Sequence, residues 1–209
     1  MLIDLHTHVW LYPGHLSKEF VDEAVLAWRG SPEKLARFNT SAEAHWKVYA
    51  NGPAACAVVL AFRSRWLELE IPNEYVAEYV GLHPDKLLGF ASVDPHDPDP
   101  VGELEHAVHR LGLRGLKLGP IYQNFHPMDP RMLPVYAVAQ RLGLPVLFHQ
   151  GTTFPRRAPL KFAHPHQLEE VALAFPDLKI VIAHLGHPWE AETIVLVHGA
   201  FVDGSGWAG

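Results

Sequence analysis

Six short apolar runs, separated by helical patterns with legible ends, constrain this chain more than any other feature. The runs are Leu2–Leu5, Ala55–Phe62, Leu87–Val93, Leu113–Leu118, Pro145–Phe148 and Lys179–Ala183. Each has the length of a strand and is bounded by turn residues. Between them lie helix signals. Asp99-Pro100 opens a helix over Val101–Leu111 that Gly112 closes, and Asp129-Pro130 opens one over Arg131–Leu142 that Gly143 closes. Both have an acid at the N-cap, proline at the first position and glycine past the end. Asn73 is expected to cap a helix reaching about Leu82, Thr40 with Glu43 reads as a capping box, and a helix over Gln167–Phe175 stops at Pro176. The first gap is longer and holds helical patterns within Ser17–Arg29, Ser31–Phe38 and Ala42–Ala50. Strands alternating with helices predict a parallel sheet. The later runs stand roughly 26–34 residues apart, one βα unit each.

Composition enters as a set of exclusions. With 209 residues, 48% hydrophobic and 19% charged, the chain has the make-up of a soluble globular protein with one core. Its longest apolar runs are too short to span a bilayer, and Met1-Leu-Ile-Asp lacks the basic start of a signal peptide. Cys56, the single cysteine, lies in an apolar run and reads as a buried thiol, which predicts a cytoplasmic protein. A net charge of −6 argues against a nucleic-acid footprint. The expected partner is a small molecule, with neither nucleic acid nor membrane involved; a homo-oligomer stays open.

The 15 histidines then decide where to look for chemistry. His6 and His8 stand two apart at the end of the first run, so with Asp4 they are expected to share one strand face, opposite Ile3, Leu5 and Val9. Two imidazoles so placed can hold one metal ion, or can be a solvated polar strand end. Two further runs end in the same way, at His149 followed by Gln-Gly and at His184 followed by Leu-Gly, while Lys117 interrupts an otherwise apolar run. In a parallel α/β barrel the C-terminal strand ends converge on one site. The scattered histidines His45, His83, His96, His106, His109, His164 and His166 read as surface or capping residues.

Four segments carry a resemblance to a known family: Ile3-Asp-Leu-His6-Thr-His8, Gly115-Leu-Lys117-Leu, Pro145-Val-Leu-Phe-His149 and Ala183-His184-Leu-Gly-His187-Pro-Trp. In this order and spacing the chain resembles the amidohydrolase-related family of metal-dependent barrels, which includes hydrolases and aromatic-acid decarboxylases. The resemblance covers roughly residues 1–192. It implies a (β/α)8 TIM barrel, here with about six of its eight strands. It also implies that His6, His8 and His149 bind a divalent metal, zinc with manganese as the alternative. His184 and Lys117 are implied to be catalytic, His184 facing a metal-bound water or binding a second metal, and Lys117 either carboxylated as a bridge between two metals or, more often in this branch, a cation lining the site. Lys117 also reads as a strand-end lysine reaching to solvent. Arg63, Arg65 and Arg156 follow strands and could hold a substrate carboxylate, as could Tyr122 line the pocket; the arginines also read as solvated loop residues.

The implied activity is metal-dependent hydrolysis of a small ester, lactone, amide or thioester. Its alternatives are non-oxidative decarboxylation of an aromatic or enoic acid, and an inactive metal-binding fragment. The family pattern places an aspartate at the end of the last barrel strand, and Asp203, in Val202-Asp-Gly-Ser-Gly, is a poor match for it. Residues 193–209, with His198-Gly, resemble the first strand and His-Gly turn of an α/β-hydrolase and read as a foreign or frame-shifted tail on a truncated barrel. The competing reading makes Ile194–Val197 a seventh strand of a short natural barrel.

Overall fold

Six parallel strands form the main sheet of the computed structural model, which describes residues 2–27 and 40–190. In chain order the strands are β1 (Ile3–His8), β2 (Cys56–Leu60), β3 (Phe62–Ser64), β4 (Leu69–Ile71), β5 (Leu87–Ser92), β6 (Leu116–Leu118), β7 (Pro145–His149) and β8 (Lys179–Ala183). The large sheet runs β1-β2-β5-β6-β7-β8, each strand beside the next of its own sheet, as successive right-handed βα units place them. This is six strands of a (β/α)8 barrel. The pair β3 and β4 is a separate antiparallel hairpin. The single run expected over Ala55–Phe62 is therefore two elements: β2 stops at Leu60, and Phe62 begins the hairpin.

Both faces of the sheet are covered, which is why its strands read as apolar runs without alternation. Ala57, Val59, Ala91 and Val146 belong to the main core, together with Val76, Leu104, Val135 and Val171 from the helices. Val58, Leu60, Phe90, Leu147 and Ala183 form a smaller cluster on the opposite face, inside the barrel. The outer strands are less covered: Leu2, Ile3 and Leu5 are exposed, and Ile180–Ile182 are only half-buried. Cys56 is half-buried rather than buried, because it lies beside the exposed outer strand β1.

The helices are α1 (Lys18–Ala27), α2 (Ala42–Tyr49), α3 (Asn73–Gly81), α4 (Pro100–His109), α5 (Pro120–Gln123), α6 (Leu133–Arg141) and α7 (Gln167–Ala174). Asp99 caps α4 as expected, its carboxylate accepting from the Gly102 amide at 2.8 Å. Other caps differ. Ser41, not Thr40, caps α2 by accepting from Ala44. Asp129 holds the amide and guanidinium of Arg131 in a turn, and α6 starts only at Leu133. Asn73 lies inside α3, buried, where it bridges to β5 and α4. His45 is also buried, hydrogen-bonded to the Tyr79 hydroxyl at 2.7 Å, not at the surface. The helix expected within Ser31–Phe38 and everything expected of residues 193–209 lie outside the described residues. Among the described residues no helix is long and apolar enough to cross a membrane.

A one-residue bulge in β1 corrects the expected face pattern. Asp4 pairs with Ala57 and Thr7 with Val59, so three steps on β1 match two on β2. Ala57 and Val59 face the helices, whereas Leu60, the partner of His8, faces the barrel interior. Asp4 is therefore turned to the helix side, away from the face that carries His8.

Asn73 ties three elements together. Its amide donates to the Ser92 carbonyl (3.1 Å) and to Glu103 (2.6 Å), and its oxygen accepts from the Ser92 amide (2.8 Å). Asn73→Ala leaves buried backbone groups unpaired and is expected to lower stability by about 1–3 kcal/mol in urea unfolding.

Candidate active site

Because the strands are parallel, their C-terminal ends lie on one rim, and the chain places basic side chains there repeatedly. His6 and His8 end β1, Lys117 lies in β6, His149 ends β7 and His184 follows β8. These five line one cavity of about 220 Å³. The ring centroids of His6 and His8 are 5.2 Å apart, those of His6 and His184 4.9 Å, and those of His149 and His184 4.7 Å. Lys117 Nζ lies 3.3 Å from His6 Nε2. Lys117 is buried, so its alternative as a lysine reaching to solvent does not hold. His184 and Leu185 both have positive φ, at 60° and 51°. That left-handed backbone is costly for such residues and is found most often where function holds it in place.

Crowding five basic groups in an apolar cavity disfavours their protonated forms. Burial, with Lys117 and His184 nearby, pushes the His6 imidazole down to about 3. Burial and Lys117 hold His8 and His149 well below the usual histidine range and lower His184 as well. Burial brings Lys117 down to about 7. No aspartate or glutamate lines the cavity among the described residues. Neutral imidazoles are the form that binds a metal. His8 Nδ1 and His149 Nε2 are buried without a hydrogen-bond partner, the condition of a nitrogen that an ion could satisfy. The donor set therefore suits a divalent metal of borderline softness. Among the described residues no three His, Cys, Asp or Glu side chains already surround one point, so the rings are gathered rather than aimed.

The remaining walls are apolar and largely aromatic: Trp10, Phe20, Phe62, Tyr122 and Phe154, with Leu16, Leu69 and Ile71. Tyr122 packs edge-on against His149 at 4.6 Å, and its hydroxyl meets Thr153 Oγ1 at 2.5 Å. Tyr122 lines the cavity, and Arg63, Arg65 and Arg156 do not. Phe62 points into the cavity, so Arg63, its neighbour in an extended hairpin strand, points away. Arg63 and Arg65 each pair with Asp97 at 3.0 Å and border a separate surface depression. Arg156 is largely exposed and lies 3.8 Å from Glu23. The walls from Trp10, Phe20, Phe154 and the hairpin were missed in sequence. The hairpin had a weak signal in the alternating Phe62-Arg-Ser and Leu69-Glu-Ile around a turn; Phe20 and Phe154 had none.

Comparison with known proteins agrees with this architecture. The family model described as amidohydrolase matches residues 3–208. Gamma-resorcylate decarboxylase from Rhodococcus jostii is 26% identical, aligned over 65% of this chain and 50% of its own. The chain spans about half the length of the curated relatives it matches. An uncharacterised TIM-barrel protein from Bordetella bronchiseptica superposes with a TM-score of 0.76 at 20% identity, covering 95% of this chain and 72% of that one. For 2,6-dihydroxybenzoate decarboxylase from Rhizobium the TM-score is 0.64 at 20% identity, with 89% and 67% covered. At such identities the structures share the fold.

A buried lysine beside imidazoles is held against its own solvation. Lys117→Met keeps the aliphatic volume and removes the ammonium. The metal-free variant at pH 7 is expected to melt at the same temperature or a few degrees higher, since about 1 kcal/mol moves a chain of this size by roughly 2–4 °C. Calorimetry checks this.

Proposed function

The chain belongs to the amidohydrolase family of metal-dependent hydrolases and decarboxylases, and from that premise we propose that its site removes the carboxylate of a small aromatic acid. The observation carrying this reading is the cavity itself: one lysine and four imidazoles at the base of aromatic walls. A volume of about 220 Å³ is below the roughly 300–1,000 Å³ of pockets for drug-sized ligands, and suits a single ring.

His6, His8 and His149 would hold a divalent ion, zinc or manganese. When bound, the ion supplies a Lewis acid for a substrate oxygen. Lys117 donates hydrogen bonds to the same anion, in either of its charge states. The aromatic walls stack against the ring and keep water away. A carboxylate turned from these donors toward the aromatic walls is poorly solvated, whereas carbon dioxide carries no charge to solvate, so such a pose favours its departure. The carbon–carbon bond breaks, its electron pair stays on the ring carbon, and that carbon takes up one proton. His184, exposed on the rim beside His6 and His149, is placed to relay that proton from solvent water. Tyr122 orients the ring from the wall formed with His149.

Hydrolysis of a small ester, lactone, amide or thioester is the second reading. The observation favouring it is that His184 is exposed, so water reaches the rim.

The two are separated by product. The protein reconstituted with zinc or manganese is expected to bind about one ion per chain. It should release carbon dioxide from a hydroxybenzoate panel, and His6→Ala, His149→Ala or chelation should abolish both properties. Metal-dependent acid release from lactones or esters without carbon dioxide would establish hydrolysis. No bound metal by elemental analysis would refute the metal centre.

A further inference from the structure

The bulge in β1 falls between Asp4 and Thr7, in the segment that presents His6. A bulge removes ladder hydrogen bonds, and the orphaned groups need partners. Here two side chains of the same segment provide them. The Asp4 carboxylate accepts the His6 amide through Oδ1 at 3.1 Å. The Thr7 hydroxyl donates to the carbonyl of Val58, the β2 residue opposite the bulge, at 2.8 Å. Asp4 is in turn held from outside: the Tyr49 hydroxyl, at the end of α2, donates to its Oδ2 at 2.6 Å. Tyr49 stacks on buried His45 at 4.3 Å and 18°, and His45 is held by Tyr79 from α3.

The consequence is geometric. In a regular strand Asp4, His6 and His8 would share a face. With the extra residue, Asp4 faces the helices while His8 stays in register with the interior residue Leu60. A carboxylate that would otherwise enter the strand's interior face serves as an anchor on the other side. We propose that Asp4, pinned by Tyr49, is a positioning residue that locks the β1 bulge and thereby sets the direction of the His6 imidazole in the cavity. Its effect on metal binding rests on the function proposed above; the locking of His6 does not.

Asp4→Ala, Asp4→Asn and Tyr49→Phe test this in the full chain, with two readouts. In metal-free protein, the His6 amide should exchange with solvent about tenfold faster in Asp4→Ala, and the His6 ring resonances should move. Cobalt(II), as a coloured probe, should bind about 10–100-fold more weakly with an altered visible spectrum, the usual range when a group behind a ligand is lost. Asp4→Asn should restore both, since its oxygen still accepts from His6 and its amide can donate to Tyr49. Tyr49→Phe keeps the stack on His45 and should show the same changes to a smaller degree, which covers the case where Asp4→Ala fails to fold. Loss of melting temperature with His6 exchange and ring resonances unmoved would overturn the proposal. A wild-type chain that binds no cobalt would refute the metal centre, while His6 exchange would still decide the role of Asp4.

Discussion

Four imidazoles and one ammonium compete for the same small apolar volume, and no carboxylate among the described residues stands in the lining to neutralise them. In water such groups would be solvated or protonated. In the cavity, burial and mutual repulsion keep the imidazoles deprotonated, and two buried nitrogens are left without partners. A fold does not sustain that arrangement for stability, because each unmet buried polar group opposes folding. The surrounding architecture is therefore best understood as what holds these groups together against their preference for water.

Three levels of structure do so. The parallel sheet brings strand ends that are distant in sequence to one rim. The hairpin between β2 and β5 then closes a side of the cavity with Phe62, Leu69 and Ile71, lowering the local polarity that the basic groups feel. The finest level is the bulge in β1, where a single inserted residue decides which side chains face the cavity and which face the helices. Local strain appears at the end of β8, in the left-handed backbone of His184 and Leu185. Neither residue is glycine, so the conformation is imposed by the surroundings and not by intrinsic preference.

What the sequence determined alone is the part encoded by local pattern. Strand length, apolar run and flanking turn residues located all six sheet strands, and the repetition of histidine at their ends identified the cluster, because parallel strands leave their ends nowhere else to go. Asp99 was legible as a cap for the same reason: its partner is three residues away. What only the tertiary structure decided depends on partners far along the chain. Arg63 and Arg65 looked available for a substrate until folding placed Asp97 beside them, and Arg156 until it met Glu23. Asn73 looked like a cap until Ser92 and Glu103 arrived around it. The aromatic walls come from separate segments with no shared pattern. The face of Asp4 changed because pairing with β2 admits one extra residue. Periodicity along one strand cannot reveal that, since register is a property of two strands at once.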